Sequence, residues 1–244
     1  MRTFGLIGFP LTHSFSQKYF SEKFKKENIS DAEFKNFPLE NINDFPRLLA
    51  SNPTLCGLSV TIPHKQSMMR ILIEMDTVAR ETGAVNCIKV SETLTGFNTD
   101  VFGFEKSLLP LLKNHHTKAL ILGTGGAAKA VEYVLKKSGI EYLFISRSQK
   151  PEAGNCSYND LDNEIISSHP LIINTTPLGM FPDADSYPRI PYEHLTEKHL
   201  LYDLVYNPQE TLFLKKGKEK GAQVKNGLEM LQLQADKAWE IWNG

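Results

Sequence analysis

The sequence predicts an α/β fold built as two successive domains, the second a Rossmann-like, doubly wound sheet. Three observations carry that prediction. Short apolar runs alternate with helical stretches across the first hundred residues. A polar stretch, KNHHTK at 113–118, interrupts the pattern. A second strand–helix series then opens on a glycine-rich turn.

RTFGLIG (2–8) is a short apolar run ending in Gly8, and residues 16–28 read as a helix with Tyr19, Phe20 and Phe24 on one side. AEFKNF (32–37) alternates like a strand, 42–50 read as helical, and GLSVT (57–61) is a β-rich run closed by Pro63. NCIKV (86–90) and TLTGFN (93–98) form a hairpin around Ser91–Glu92. A helix starts at Thr99–Asp100, both good N-cap residues, and turns Phe104, Leu108, Leu109 and Leu112 inward. KALIL (118–122), EYLFIS (141–146), LIIN (171–174) and LLYDLV (200–205) are continuously apolar, as parallel strands shielded on both faces require. Helices at 126–138 and 210–220 alternate with them, while 147–163 and 177–194 read as loops. In the last helix, 227–242, Gly227, Leu231, Gln234, Ala238 and Ile241 fall on one stripe. A glutamine inside that face is either a boundary position or an amide aimed into a polar pocket.

Composition bounds the function. The 244 residues suggest one or two domains at roughly 150 residues each. With 41% hydrophobic and 23% charged residues, the chain is neither disordered, fibrous nor a small disulfide scaffold. Twenty-seven basic residues against 28 acidic ones lack the bulk electrostatics of a nucleic-acid binder. The lack of a long apolar run argues against a membrane span. MRTFGLIGFP does not read as a secretion signal. Cys56, Cys87 and Cys156 are odd in number, far apart and include no Cys-x-x-Cys pair, which reads as reduced thiols in a cytoplasmic protein.

The strongest local signal is KALILGTGGAAKA (118–130). Gly123-Thr124-Gly125-Gly126-Ala127-Ala128 has the G-x-G-x-x-G/A form, and it follows a strand and opens a helix as that fingerprint requires. Gly123 permits the tight turn, Gly125 lets the backbone approach a pyrophosphate, and Ala128 permits close helix–strand packing. Free amides at the positive end of the helix then bind the anion. The next strand ends in Ser146-Arg147-Ser148, followed by Lys150, where a cofactor lacking the 2′-phosphate calls for an acid. A guanidinium grips a phosphate through paired hydrogen bonds, so the sequence favours NADP over NAD.

The first half carries different chemistry. His13-Ser14-Phe15-Ser16, Ser59 through Lys65, Gly83 through Asn86 and Asn98-Thr99-Asp100 all fall at element ends. Ligands of open α/β sheets bind at the carboxyl ends of strands. Lys65 lies just past Pro63, a residue suited to the first turn of a helix, whose dipole favours loss of the lysine's proton. A nearby Asp100 opposes that loss and fixes the ammonium in place. Taken singly, Lys65 also reads as a surface lysine and Asp100 as an N-cap. No metal is expected: His13 and His64 have no partner at ligand spacing. The His115–His116 pair reads as solvated.

With these motifs in order, the chain resembles the shikimate dehydrogenase family over nearly its whole length. The resemblance rests on GLIGFPLTHSFS (5–16), LSVTIPHK (58–65), GAVNCI (83–88), GFNTD (96–100), GTGGAAKA (123–130), SRS (146–148), INTTPLGM (173–180), YDLVYNP (202–208) and GLEMLQLQA (227–235). It implies an NADP-dependent reductase of 3-dehydroshikimate, an oxidoreductase acting on a CH–OH group in chorismate and aromatic amino-acid biosynthesis. Lys65 would be the acid/base residue and Asp100 its partner. Ser14, Ser16, Thr61, Asn86, Tyr206 and Gln234 would bind the substrate. Gly123, Gly125, Gly126, Ala127, Ala128, Ser146, Arg147 and Ser148 would hold the phosphates, and Thr176, Leu204, Gly227 and Met230 the nicotinamide half. The substrate domain would comprise 1–102 plus 227–244, and the NADP domain 103–226. The enzyme would be a monomer or homodimer, with no nucleic-acid or membrane partner.

The chain departs from the family pattern at Gln17, Phe20 and Ser21, at Ser59 and at Val101, none of which carries chemistry in this reading. Three alternatives share some motifs: a quinate/shikimate dehydrogenase with relaxed substrate or NAD preference, a catalytically silent NADPH-binding regulator, and a folate-type methylene dehydrogenase. The paired serines and Gln234 suit a small hydroxylated acid better than the last.

Overall fold

The alternation in the first hundred residues becomes a six-stranded sheet. A computed structural model describes residues 1–11, 15–147 and 155–244, with Asn155 described by its backbone alone. The chain forms β1 (Arg2–Gly8), α1 (Phe15–Lys26), β2 (Ala32–Pro38), α2 (Phe45–Ala50), β3 (Leu55–Val60), β4 (Glu74–Met75), α3 (Thr77–Thr82), β5 (Cys87–Val90) and β6 (Leu94–Phe97). The sheet order is β2-β1-β3-β5-β6-β4. β1 pairs in parallel with β2 and β3, β4 with β6, and the β5–β6 hairpin is antiparallel.

The second half forms α4 (Thr99–Leu108), β7 (Lys118–Leu122), α5 (Gly126–Lys137), β8 (Glu141–Ser146), β9 (Asn155–Ser157), α6 (Asn163–Ser168), β10 (Leu171–Asn174), β11 (Leu200–Asp203), α7 (Leu212–Glu219), β12 (Gln223–Lys225) and α8 (Leu228–Asn243). Its sheet, β12-β11-β10-β7-β8-β9, is parallel throughout. β10 and β11 are buried at every residue, as their apolar runs require.

The chain divides into two compact units, Met1–Phe102 with Gln232–Gly244, and Gly103–Leu231. Each has its own core. In the first, Phe4, Phe20, Phe24, Phe34, Ala235, Ala238 and Trp242 pack together. Phe20 stacks on Phe34 at 4.6 Å between ring centroids, and the Trp242 indole donates to the Ile88 carbonyl at 3.0 Å. In the second, Leu120, Leu122, Ile145, Ile172, Leu201 and Phe213 form the centre. Each such side chain contributes about 1.5–3 kcal/mol on burial.

Several sequence expectations need correction. Leu109 is 43% exposed and Leu112 half-buried, because α4 stops at Leu108 and a 3₁₀ turn with Pro110 swings the chain outward. The polar stretch 147–163, read as loop, contains β9, whose pairing with β8 is held by backbone bonds that side-chain polarity does not report. His116 is buried, and both His115 and His116 ring nitrogens lie at 3.0–3.2 Å from the Lys198 carbonyl oxygen. The buried stripe of α8 is Met230, Gln234, Ala238 and Trp242 with Ala235; Leu231 and Ile241 flank it.

Candidate active site

The first unit gathers its polar side chains at the ends of strands. Beyond β3 the backbone turns at Ile62–Pro63 and reaches Lys65. No α-helix follows Pro63; a four-residue 3₁₀ turn, Ser67–Arg70, begins after Gln66. The helix-dipole argument for Lys65 therefore has no α-helix behind it. The loop is anchored instead. The buried His64 ring reaches the Leu39 carbonyl at 2.5 Å, His64 N–H donates to Thr61 at 2.9 Å, and Val85 N–H donates to the Lys65 carbonyl at 2.8 Å.

α4 begins at Thr99, one or two residues earlier than a cap at Thr99 or Asp100 would imply. Asn98 occupies the capping position, its Oδ1 accepting from Val101 N–H at 3.3 Å while its amide donates to Thr82 Oγ1 and the Ala84 carbonyl. That leaves the Asp100 carboxylate available to another partner. Asp100 Oδ2 accepts from Lys65 Nζ at 2.6 Å, with the side chains 9% and 17% exposed. Asn86 binds the other oxygen: its amide donates to Asp100 Oδ1 at 2.9 Å and also faces Thr99 Oγ1 at 3.0 Å and Gln234 Oε1 at 3.3 Å. Asn86 Oδ1 accepts from Thr99 N–H at 2.6 Å, and Thr99 Oγ1 donates to Gln234 Oε1 at 3.3 Å. The glutamine set in the apolar face of α8 is thus a member of a buried polar cluster.

Lys65, Asp100, Asn86 and Gln234 are brought together within this one unit. Thr61 and Ser16 are half-buried, Thr61 at the turn after β3 and Ser16 in the first turn of α1. Ser14 lies outside the described residues, and Tyr206 belongs to the second unit, in the loop after β11. Asn98 and Thr99 carry more of the wiring than a helix-start motif suggests. Their signal was present in the polar run Asn98-Thr99-Asp100.

In the second unit the glycine turn has a built cradle. Gly123 has φ +104, and a Cβ there would meet Thr175 Oγ1 and Thr176 Cγ2 at 2.9 Å. Around Gly125, which precedes α5, space is open, so its backbone amide is approachable. Gly126 and Ala127 form the first turn of α5, and Ala128 is buried against the sheet. The backbone donors and dipole of this twelve-residue helix suit a pyrophosphate. Ser146 ends β8 and Arg147 follows it, exposed; Ser148 and Lys150 lie outside the described residues. Thr176 and Leu204 follow β10 and β11, and Met230 is buried in the first turn of α8. Gly227 is needed for close approach, since a Cβ there would lie 2.1 Å from the Leu204 carbonyl oxygen. Among the described residues, no three His, Cys, Asp or Glu side chains cluster as a metal site would require.

Known proteins resemble this chain in sequence and fold. Residues 6–88 match the family described as the shikimate dehydrogenase substrate binding domain. Shikimate dehydrogenase (NADP(+)) of Desulforamulus reducens is 34% identical, with 98% of this chain and 89% of that protein covered. The enzyme of the same name from Carboxydothermus hydrogenoformans is 38% identical, over 98% of this chain and 91% of the relative. Among solved structures, shikimate 5-dehydrogenase from Thermus thermophilus in complex with NADP(H) and shikimate aligns with a TM-score of 0.87 and 30% identity, covering all of this chain and 94% of that one. From its motifs, its fold and these likenesses, the chain belongs to the shikimate dehydrogenase family.

Proposed function

We propose that this chain catalyses the reversible, NADPH-dependent reduction of 3-dehydroshikimate to shikimate. The observation that carries the reading is the Lys65–Asp100 pair, 2.6 Å apart and wired through Asn86 to Gln234. A lysine held this way can deliver a proton to an oxygen and take it back.

The residues divide the work. Ser14 and Ser16, with the backbone donors at the start of α1, hold the substrate carboxylate. Thr61, Asn86, Tyr206 and Gln234 pair the ring hydroxyls and fix the ring. A site that hydrogen-bonds a hydroxyl rejects analogues lacking it by large factors, on the order of 10⁴. The bound NADPH supplies hydride to the carbonyl carbon. Lys65 donates its ammonium proton to the carbonyl oxygen, so that ketone, hydride and proton become the alcohol. Asp100 keeps the ammonium oriented until that transfer. In the opposite direction Lys65 accepts the hydroxyl proton.

Gly123 and Gly125 with the first turn of α5 hold the pyrophosphate, and Ser146, Arg147 and Ser148 clamp the 2′-phosphate. Thr176, Leu204, Gly227 and Met230 line the nicotinamide half. The two units correspond to a substrate domain and an NADP domain. The three cysteines, free of disulfides, suit the cytoplasm, where such pathway enzymes act on small metabolites.

The direct test follows NADPH formation from NADP with shikimate, then with quinate. Turnover with shikimate well above that with quinate supports the proposal, and equal turnover indicates the relaxed relative. Tight NADPH binding without turnover of either acid overturns it in favour of a silent regulator.

A further inference from the structure

One buried carboxylate has no part in the chemistry above. Asp203, the last residue of β11, is fully buried at 0% exposure, in register with Asn174 at the end of β10. Asp203 Oδ1 accepts from Asn174 Nδ2 at 2.9 Å and from Val205 N–H at 3.0 Å, and Oδ2 accepts from Thr211 Oγ1 at 2.6 Å. Asn174 continues the chain of contacts. Its Oδ1 accepts from Thr176 N–H at 3.1 Å and Thr176 Oγ1 at 2.6 Å, and its backbone carbonyl accepts from Leu204 N–H at 2.9 Å. Farther out, Phe181 N–H donates to the Asn207 carbonyl at 3.0 Å.

The two loops held this way carry Thr176 on one side and Leu204 and Tyr206 on the other. A buried carboxylate with no cation among these partners is a costly way to close a loop unless its position matters. Its donors come from both sides: Asn174 from the first loop's root, Val205 and Thr211 from the start and end of the second.

We propose that Asp203 is a positioning residue that ties the loops after β10 and β11 into one frame, fixing Thr176 and Leu204 where the nicotinamide half of the cofactor binds. The inference rests on the functional reading above. Asp203 touches no reacting atom in it and acts through Asn174 and the two loop backbones. Loosening the frame therefore weakens cofactor placement more than substrate binding, which the frame reaches through Tyr206 alone while Lys65, Asp100, Asn86 and Gln234 stay held in the first unit.

The test compares the full-length protein with Asp203→Asn, which keeps the shape and removes the charge, and with the milder pair Thr211→Val and Thr211→Ser. The expected result is a rise of about tenfold in KM for NADPH in Asp203→Asn, with KM for the acid substrate within about twofold of the parent. Thr211→Val moves the NADPH value in the same direction, and Thr211→Ser, which restores the hydroxyl donor, returns it. An unchanged NADPH KM in a folded Asp203→Asn overturns the proposal. So does an equal loss in both KM values that tracks a lower melting temperature, since that is general destabilisation. Should Asp203→Asn not fold, the Val/Ser pair decides: no difference between them overturns the proposal. If the unaltered protein turns over neither shikimate nor quinate, the functional reading fails instead, and NADPH binding to the same variants, followed by fluorescence titration, tests the frame.

Discussion

The two units offer different kinds of chemistry. The first presents side chains wired to one another: Lys65, Asp100, Asn86, Thr99 and Gln234 form a largely buried cluster. The second presents backbone: a left-handed glycine at Gly123, an approachable amide at Gly125, a helix start, and an exposed arginine at the end of β8. A substrate distinguished by its hydroxyls needs fixed partners at fixed angles. A pyrophosphate needs donors and positive potential, which a glycine turn and a helix dipole provide with few side chains. Substitutions should therefore act sharply on turnover in the first unit and gradually on affinity in the second.

The sharpest expected break is Asp100→Asn. It preserves the shape and the Asn86 contact but removes the charge beside the ammonium. We expect kcat to fall about 10²-fold or more with a small change in either KM. Steady-state kinetics with both substrates varied would show it, and a pure KM effect would make the two units alike. Next in size is Arg147→Ala, expected to raise KM for NADPH by about tenfold or more while barely changing that for NADH, since a hydrogen-bonded charge pair contributes about 1.5–3 kcal/mol. Equal effects on the two cofactors would remove the phosphate clamp from the second unit.

Asn86→Ala should destabilise the first unit by about 1–3 kcal/mol, because Thr99 N–H and the Asp100 carboxylate lose a buried partner. Denaturant unfolding of the variant checks this, and an unchanged midpoint would mean the cluster is not wired as described. The smallest effect concerns Asp203. Burial pushes its carboxyl up to about 6 from an ordinary 3.8, against the opposing hydrogen bonds from Thr211, Val205 and Asn174. The native state then holds that proton more tightly than the unfolded chain between those two values. This group's contribution to stability accordingly declines as pH rises through that window. The nearby Tyr192 is itself pushed up, chiefly by burial, and stays neutral there. Unfolding measured across the window should show a more positive slope of stability against pH in Asp203→Asn than in the parent protein.

Much of this was legible in the chain itself. The apolar runs of β7, β10 and β11 announce parallel strands because both faces are covered, and Gly123 through Ala128 announce the turn because only small residues permit it. Gln234 stood out because an amide in an apolar stripe has to be satisfied somewhere. What sequence could not show follows from long-range pairing. β4, β9 and β12 are two or three residues long and are held by a neighbour's backbone. Pro63 looked like a helix start, yet His64 ties that loop to Leu39, a contact 25 residues away. Thr99 and Asp100 both looked like caps, and Asn98 took the position, leaving Asp100 for Lys65. Asp203 sits in an apolar run, and only the register of β10 on β11 brings Asn174 beside it.

The central claim is that the Lys65 ammonium passes a proton to and from the substrate oxygen while the cofactor carries hydride. A single-turnover experiment with Lys65→Ala, mixed with shikimate and NADP, measures that step apart from binding. We expect both ligands to bind within a few-fold of the parent affinity while the rate of NADPH formation falls by about 10²–10⁴. NADPH formation at the parental rate would contradict it.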